Sequence, residues 1–132
     1  LCINLTQFFE AVYDEKDDFS SEAKDDIIAM INMDIEMLNH AMVAFDKHDL
    51  DDIIYVDDHE SNLDYYNKKA KQRHIQRVTN KTEKSVIVNS TYVDILSNLE
   101  RIGDHCQNIA ESYMLEEENF KPDYEVDSAF NQ

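Results

Sequence analysis

The chain has 132 residues with one Gly, one Pro and no Trp, and carries 29 Asp and Glu against 12 Lys and Arg, a formal net charge of −17. So few turn residues exclude a β-sandwich or a βαβ fold and leave an all-α protein of one domain. The negative field excludes nucleic acid and anionic lipid as partners and favours cations and basic surfaces. At 42% hydrophobic the chain can bury a core and is not a solvating acidic tail. No apolar run approaches the roughly 20 residues of a membrane span, so direct membrane insertion of this segment is not expected. Leu1 in place of Met suggests a piece of a longer protein. Cys2 and Cys106, without CxxC spacing, read as reduced core thiols in a cytoplasmic setting.

Four helices are predicted. The first runs from about Leu1 to Asp14, with Ile3, Leu5, Phe8, Phe9 and Val12 at helical spacing. The second follows a cap at Ser20-Ser21 and runs to Lys47. Ile27, Ile31, Ile35, Leu38, Met42 and Phe45 step by four and three and read as its bundle seam, widened by Met30, Met33 and Met37. Asp49 caps the third helix, about Leu50 to Val78, after a link short enough to force an antiparallel pair. Thr82 caps the fourth, about Glu83 to Leu115. The expected architecture is an antiparallel three-helix bundle over residues 19–117. A short extra helix occupies 1–18, and a polar tail occupies 118–132.

The third and fourth helices break the pattern of a bundle helix. Glu60, Asn67 and His74 interrupt the stripe of Ile53, Val56, Leu63, Ala70 and Val78. Asp57, Glu60 and Asp64 fall within about 60° of one another at about 100° per residue. On the fourth helix the apolar arc of Ile95, Leu96, Leu99, Ile102, Cys106, Ile109 and Tyr113 is bordered by Glu100, Asp104 and Glu111, within about 40°. Its other border carries Asp94, Asn98 and His105. Gly103, the only Gly, sits mid-helix, where it permits close approach by a helix or ligand.

Stacked carboxylates repel, and more so when half-buried. Arg73, Arg77 and Arg101 are one source of compensation. Bound cations are the other, since carboxylate oxygens suit hard divalent ions and, with imidazole, iron. A solvated charged face is the plainer reading of each column, and a hydrogen-bonded boundary histidine that of His74 and His105. No Glu has His three residues on, which weakens the reading as a ferritin-like di-iron enzyme. No nucleophile elbow, P-loop or dinucleotide fingerprint is present, and no enzyme activity is expected.

The run Asp94-Ile-Leu-Ser-Asn-Leu-Glu-Arg-Ile-Gly-Asp-His-Cys-Gln-Asn-Ile-Ala-Glu111 resembles the signature helix of the PhoU family. Glu60-Ser-Asn-Leu-Asp64 and Arg73-His-Ile-Gln-Arg77 resemble the helix before it, so the likeness spans about residues 20–115. It implies a PhoU-like bundle that regulates phosphate uptake and holds metal through paired ExxxD motifs. By position these are Glu60, Asp64, Glu100 and Asp104, with Asp57, Asp94, His105 and Glu111 beside them. The ion implied is iron, manganese, zinc, magnesium or calcium.

Details of the run look closest to PhoU domains fused to sodium/phosphate cotransporters. That implies a place on the cytoplasmic face of a plasma-membrane transporter, with the membrane domain as partner in cis. A free-standing protein acting on a phosphate transporter or sensor kinase in trans is the alternative, as is a helical dimerisation module that binds no specific metal. Full PhoU proteins carry two repeats, and one is complete here. Cys2-Ile-Asn-Leu-Thr6 parallels Cys106-Gln-Asn-Ile-Ala110 and suggests the remnant of another. A homo-oligomer would cover the face an incomplete tandem leaves bare.

Overall fold

In the computed structural model, residues 1–14, 18–80 and 86–120 are described, with side chains to residue 112. They form α1 (Cys2–Tyr13), α2 (Ser21–Lys47), α3 (Leu50–Thr79) and α4 (Val86–Phe120), and no strand occurs among them. The boundaries follow local chemistry. Ser20 Oγ accepts from the Ala23 amide at 3.1 Å, capping α2. His48 ends α2 in the left-handed region (φ 55°). Asp49 Oδ1 then accepts from the Asp51 amide at 2.9 Å to start α3. The expected Thr82 cap and Glu83 start lie outside the described residues. At its other end α4 does not stop at Leu115 but continues to Phe120, into the segment expected to be tail.

The side-chain pairs fix the topology. Glu36 meets Tyr55 and Asp26 meets Tyr66, so α2 and α3 are antiparallel. Asn67 meets Glu100 and Asp57 meets Gln107, so α3 and α4 are antiparallel too. The three pack against one another, while α1 lies on α4 alone.

α2 uses only part of the seam expected of it. Ile27, Met30 and Met37 are buried and Ile31 and Met33 packed on the core, joined by Ala23, Ala41 and Ala44, whereas Ile35, Leu38, Met42 and Phe45 are exposed. The helix carries two adjacent apolar stripes. The one rich in alanine faces inward, because small residues let α3 and α4 approach. By length and composition α2 would suffice to cross a membrane, yet it packs in the bundle and buries Asp26 and Asp34. The two cysteines also part company: Cys106 is buried and Cys2 exposed, so Cys2 is not a core thiol.

Gly103 faces Leu63 of α3 and Asp34 of α2. A Cβ there would overlap the Leu63 Cδ2 methyl and stand 3.5 Å from Asp34 Oδ1. Leu63 is fully buried, so its side chain must repack among core neighbours to make room. Gly103→Ala gains about 1 kcal/mol of helix propensity but overpacks this junction at about 1–3 kcal/mol. A net loss of about 1 kcal/mol in urea unfolding is expected, with Leu63→Val restoring it in the double variant.

Candidate functional site

α3 and α4 meet along a seam that is apolar inside and acidic at its rim. Antiparallel pairing sets the two acid columns opposite each other as rungs: Asp57 with Glu111, Glu60 with Asp104, and Asp64 with Glu100. Asp57, Glu60, Asp64, Glu100 and Glu111 are half-buried and Asp104 exposed. Each rung brings two carboxyl groups within proton-sharing range, and the glutamate of each is raised above its ordinary range. Burial, then Asp104, pushes Glu60 up. Burial, then Asp64, does the same to Glu100. Glu111 is raised first by Asp57 and then by burial. Asp64 goes the other way, because Lys68 Nζ stands 3.1 Å from its Oδ2.

The ends of the ladder are tied to neutral donors. Asn67 Nδ2 donates to Glu100 Oε2 at 2.6 Å, and Gln107 Nε2 donates to Asp57 Oδ1 at 2.8 Å. Lys71 Nζ, which donates to Ser97 Oγ at 3.2 Å, continues the seam beyond Glu100. The arginines expected to neutralise the ladder do not face it. Arg73 donates to Asp26 at 2.7 Å and Arg77 lies 3.6 Å from Glu22, both on α2, because the rise of α3 carries them past the ladder to the far end of the bundle. Arg101 is exposed.

Six of the eight residues singled out in the sequence therefore share one seam. Asp94 and His105 do not join it. Asp94 is exposed, and its backbone carbonyl accepts from Asn98. His105 lines a groove with Phe45, Asn108, Ile109 and Ser112 on the α2 side of α4. His74 also stays away, packed on Tyr92 with ring centroids 4.9 Å apart and pushed down by burial and then Arg77.

Among the described residues, no group of three or more His, Cys, Asp or Glu side chains is placed to hold a metal ion. Each rung offers two carboxylates, a set that fits a hydrated hard cation, since Mg²⁺ is commonly held by one or two carboxylates and keeps several waters.

Comparison with known protein families decides the assignment. The PhoU domain model matches residues 27–113, well over half of the chain. The chain belongs to the PhoU family. No curated protein and no solved structure matches it. The PhoU family is a regulatory, non-catalytic helical family linked to phosphate homeostasis. The matched region contains α3 entirely, α2 from residue 27 onward, and every rung of the ladder.

Two buried acids of this PhoU domain left no mark in the sequence analysis. Asp26 accepts from Arg73 Nη2 (2.7 Å), Tyr66 Oη (2.9 Å) and Tyr92 Oη (3.0 Å), joining all three bundle helices. Asp34 is 5% exposed, and neither of its oxygens has a hydrogen-bond partner among the described residues. Burial pushes its carboxyl up to about 7. The neighbouring Cys106 thiol is pushed up to about 11, by burial and then by Asp34, and so stays protonated and unreactive at neutral pH.

Proposed function

We propose that this PhoU domain is a non-enzymatic regulator of phosphate uptake that responds to a divalent cation seated on the α3–α4 ladder. The observation that carries the reading is the facing of carboxyl pairs across two helices, all half-buried except Asp104, with the glutamates raised by burial and by their partners. Such a seam is self-repelling when ionised, and a cation between the columns relieves it. A hydrated ion would sit on one rung, held by the pair Glu60 and Asp104 or the pair Asp64 and Glu100, with Asp57 and Glu111 as the third rung. The bound charge would tighten α3 against α4 and so couple cation status to whatever the bundle touches. The motif details favour the cytoplasmic domain of a sodium/phosphate cotransporter, with the membrane domain as partner. A phosphate transporter or sensor kinase in trans is the alternative partner.

The test is a thermal melt of chelator-treated protein with Mg²⁺, Ca²⁺, Mn²⁺, Fe²⁺ or Zn²⁺ added singly. A selective ion stabilises by about 2.7 kcal/mol at 100 times its dissociation constant. Glu60→Gln with Asp104→Asn is expected to abolish that gain while raising metal-free stability, because only repulsion is removed. Equal small shifts with every ion, unchanged in the variant, would reduce the ladder to screened surface charge. The domain would then be a helical interaction module.

A further inference from the structure

The bare stripe on α2 has no role in the ladder and lies on the other side of the bundle. Ile28, Ile35, Leu38, Met42 and Phe45 stand exposed along it, with the half-buried Ile31 between them, about 25 Å from end to end. Ile35 is 53% exposed and Phe45 57%. The stripe continues into the groove formed by Phe45 with His105, Asn108, Ile109 and Ser112 of α4. Contiguous apolar surface of this kind marks an interaction site.

Its charged surroundings select the occupant. Asp25 and Asp46 stand exposed on the outer flank of α2, while Glu36 turns to α3 and accepts from Tyr55. Lys24, the nearest base at the N-terminal end, is engaged by Asp18 at 2.6 Å. A second copy would bring −17 against −17 with the same acids facing each other, and anionic lipid is repelled by the same field. A helix with an apolar stripe and lysine or arginine on its flanks satisfies both the groove and the acids. We infer that this face of α2 seats a basic amphipathic helix of a partner protein. The inference does not rest on the ladder and is tested on metal-free protein.

The probe is a fluorescent leucine/lysine peptide of about five helical turns, compared with a scrambled peptide of the same composition. Binding is followed by anisotropy and mapped by amide chemical shifts. The patterned peptide is expected to bind with shifts over residues 28–45, and about tenfold more weakly to Leu38→Ser/Met42→Ser. Both substituted residues are exposed, so an unchanged melting temperature is expected. Equal binding of patterned and scrambled peptides would overturn the inference, since charge alone would then suffice. So would a self-association in sedimentation that the same two substitutions abolish, or binding to phosphatidylcholine vesicles through residues 28–45, because the face would then belong to a second copy or to lipid.

Discussion

Asp26→Ala is expected to destabilise the bundle by about 2–4 kcal/mol, mostly from two phenols that lose a buried acceptor, since the Arg73 side chain is 42% exposed and turns to water. The carboxylate is 5% exposed and is the shared acceptor for Arg73, Tyr66 and Tyr92. Its hydrogen bond is the main cause holding the Arg73 guanidinium above its ordinary range. Without it, one guanidinium and two phenols lose their acceptor at once, and buried unmet donors cost about 1–3 kcal/mol each. Asp26→Asn keeps one acceptor oxygen and is expected to cost less. Arg73→Leu in the Asp26→Ala background should recover little of the loss, because the exposed guanidinium already turns to water. Urea unfolding of the three variants checks this. A loss under about 1 kcal/mol for Asp26→Ala would mean that water substitutes freely for the carboxylate.

Asp34 governs the pH dependence with the opposite sign to a salt-bridged acid. Its carboxyl is raised from 3.8 to about 7 by burial alone. The folded state therefore binds a proton that the unfolded chain does not, between about pH 7 and pH 3.8. The stability penalty is present in full above pH 7, falls as the pH drops through that window, and is gone below 3.8. About three pKa units correspond to a penalty on the order of 4 kcal/mol. Glu60, Glu100 and Glu111, raised as well, push in the same direction, while Asp64, lowered by Lys68, opposes them. Metal-free protein should accordingly be more stable at pH 5 than at pH 8. Asp34→Asn isolates the buried group: it removes the charge and leaves an amide whose own burial costs about 1–3 kcal/mol. The variant should exceed the parent by about 1–3 kcal/mol at pH 8, with no advantage remaining near pH 4. An Asp34→Asn protein that loses stability equally at both pH values would show Asp34 to be ionised and bonded in the fold.

The contrast between Asp34 and the ladder shows where sequence reasoning reaches. Each ladder column lies on one helix at steps of three, four and seven, so local periodicity exposes it, and antiparallel packing then supplies the rungs. Ser20 and Asp49 caps are local in the same way, and the starts of α2 and α3 follow from them. Asp26 depends on residues 40, 47 and 66 positions away, and no local pattern joins them. A signal was present nonetheless: Asp26 and Asp34 share the face of Met30 and Met37, which the structure buries. The inward side of α2 was not legible because both of its stripes are apolar. Alanine at 23, 41 and 44 decides between them through close approach, a property of three helices together. Arg73 and Arg77 lie on the ladder helix itself but serve α2, since α3 is long enough for its two halves to have different partners.

The most direct test of cation binding by the ladder is Mn²⁺-induced broadening of amide signals in isotope-labelled, chelator-treated protein. At substoichiometric Mn²⁺, broadening is expected first in α3 around 57–64 and in α4 around 100–111, and is expected to vanish in Glu60→Gln/Asp104→Asn. Broadening spread equally over the other acidic stretches, such as Asp49-Leu-Asp-Asp52 at the start of α3, and persisting in the variant, would contradict a specific cation site between the two helices.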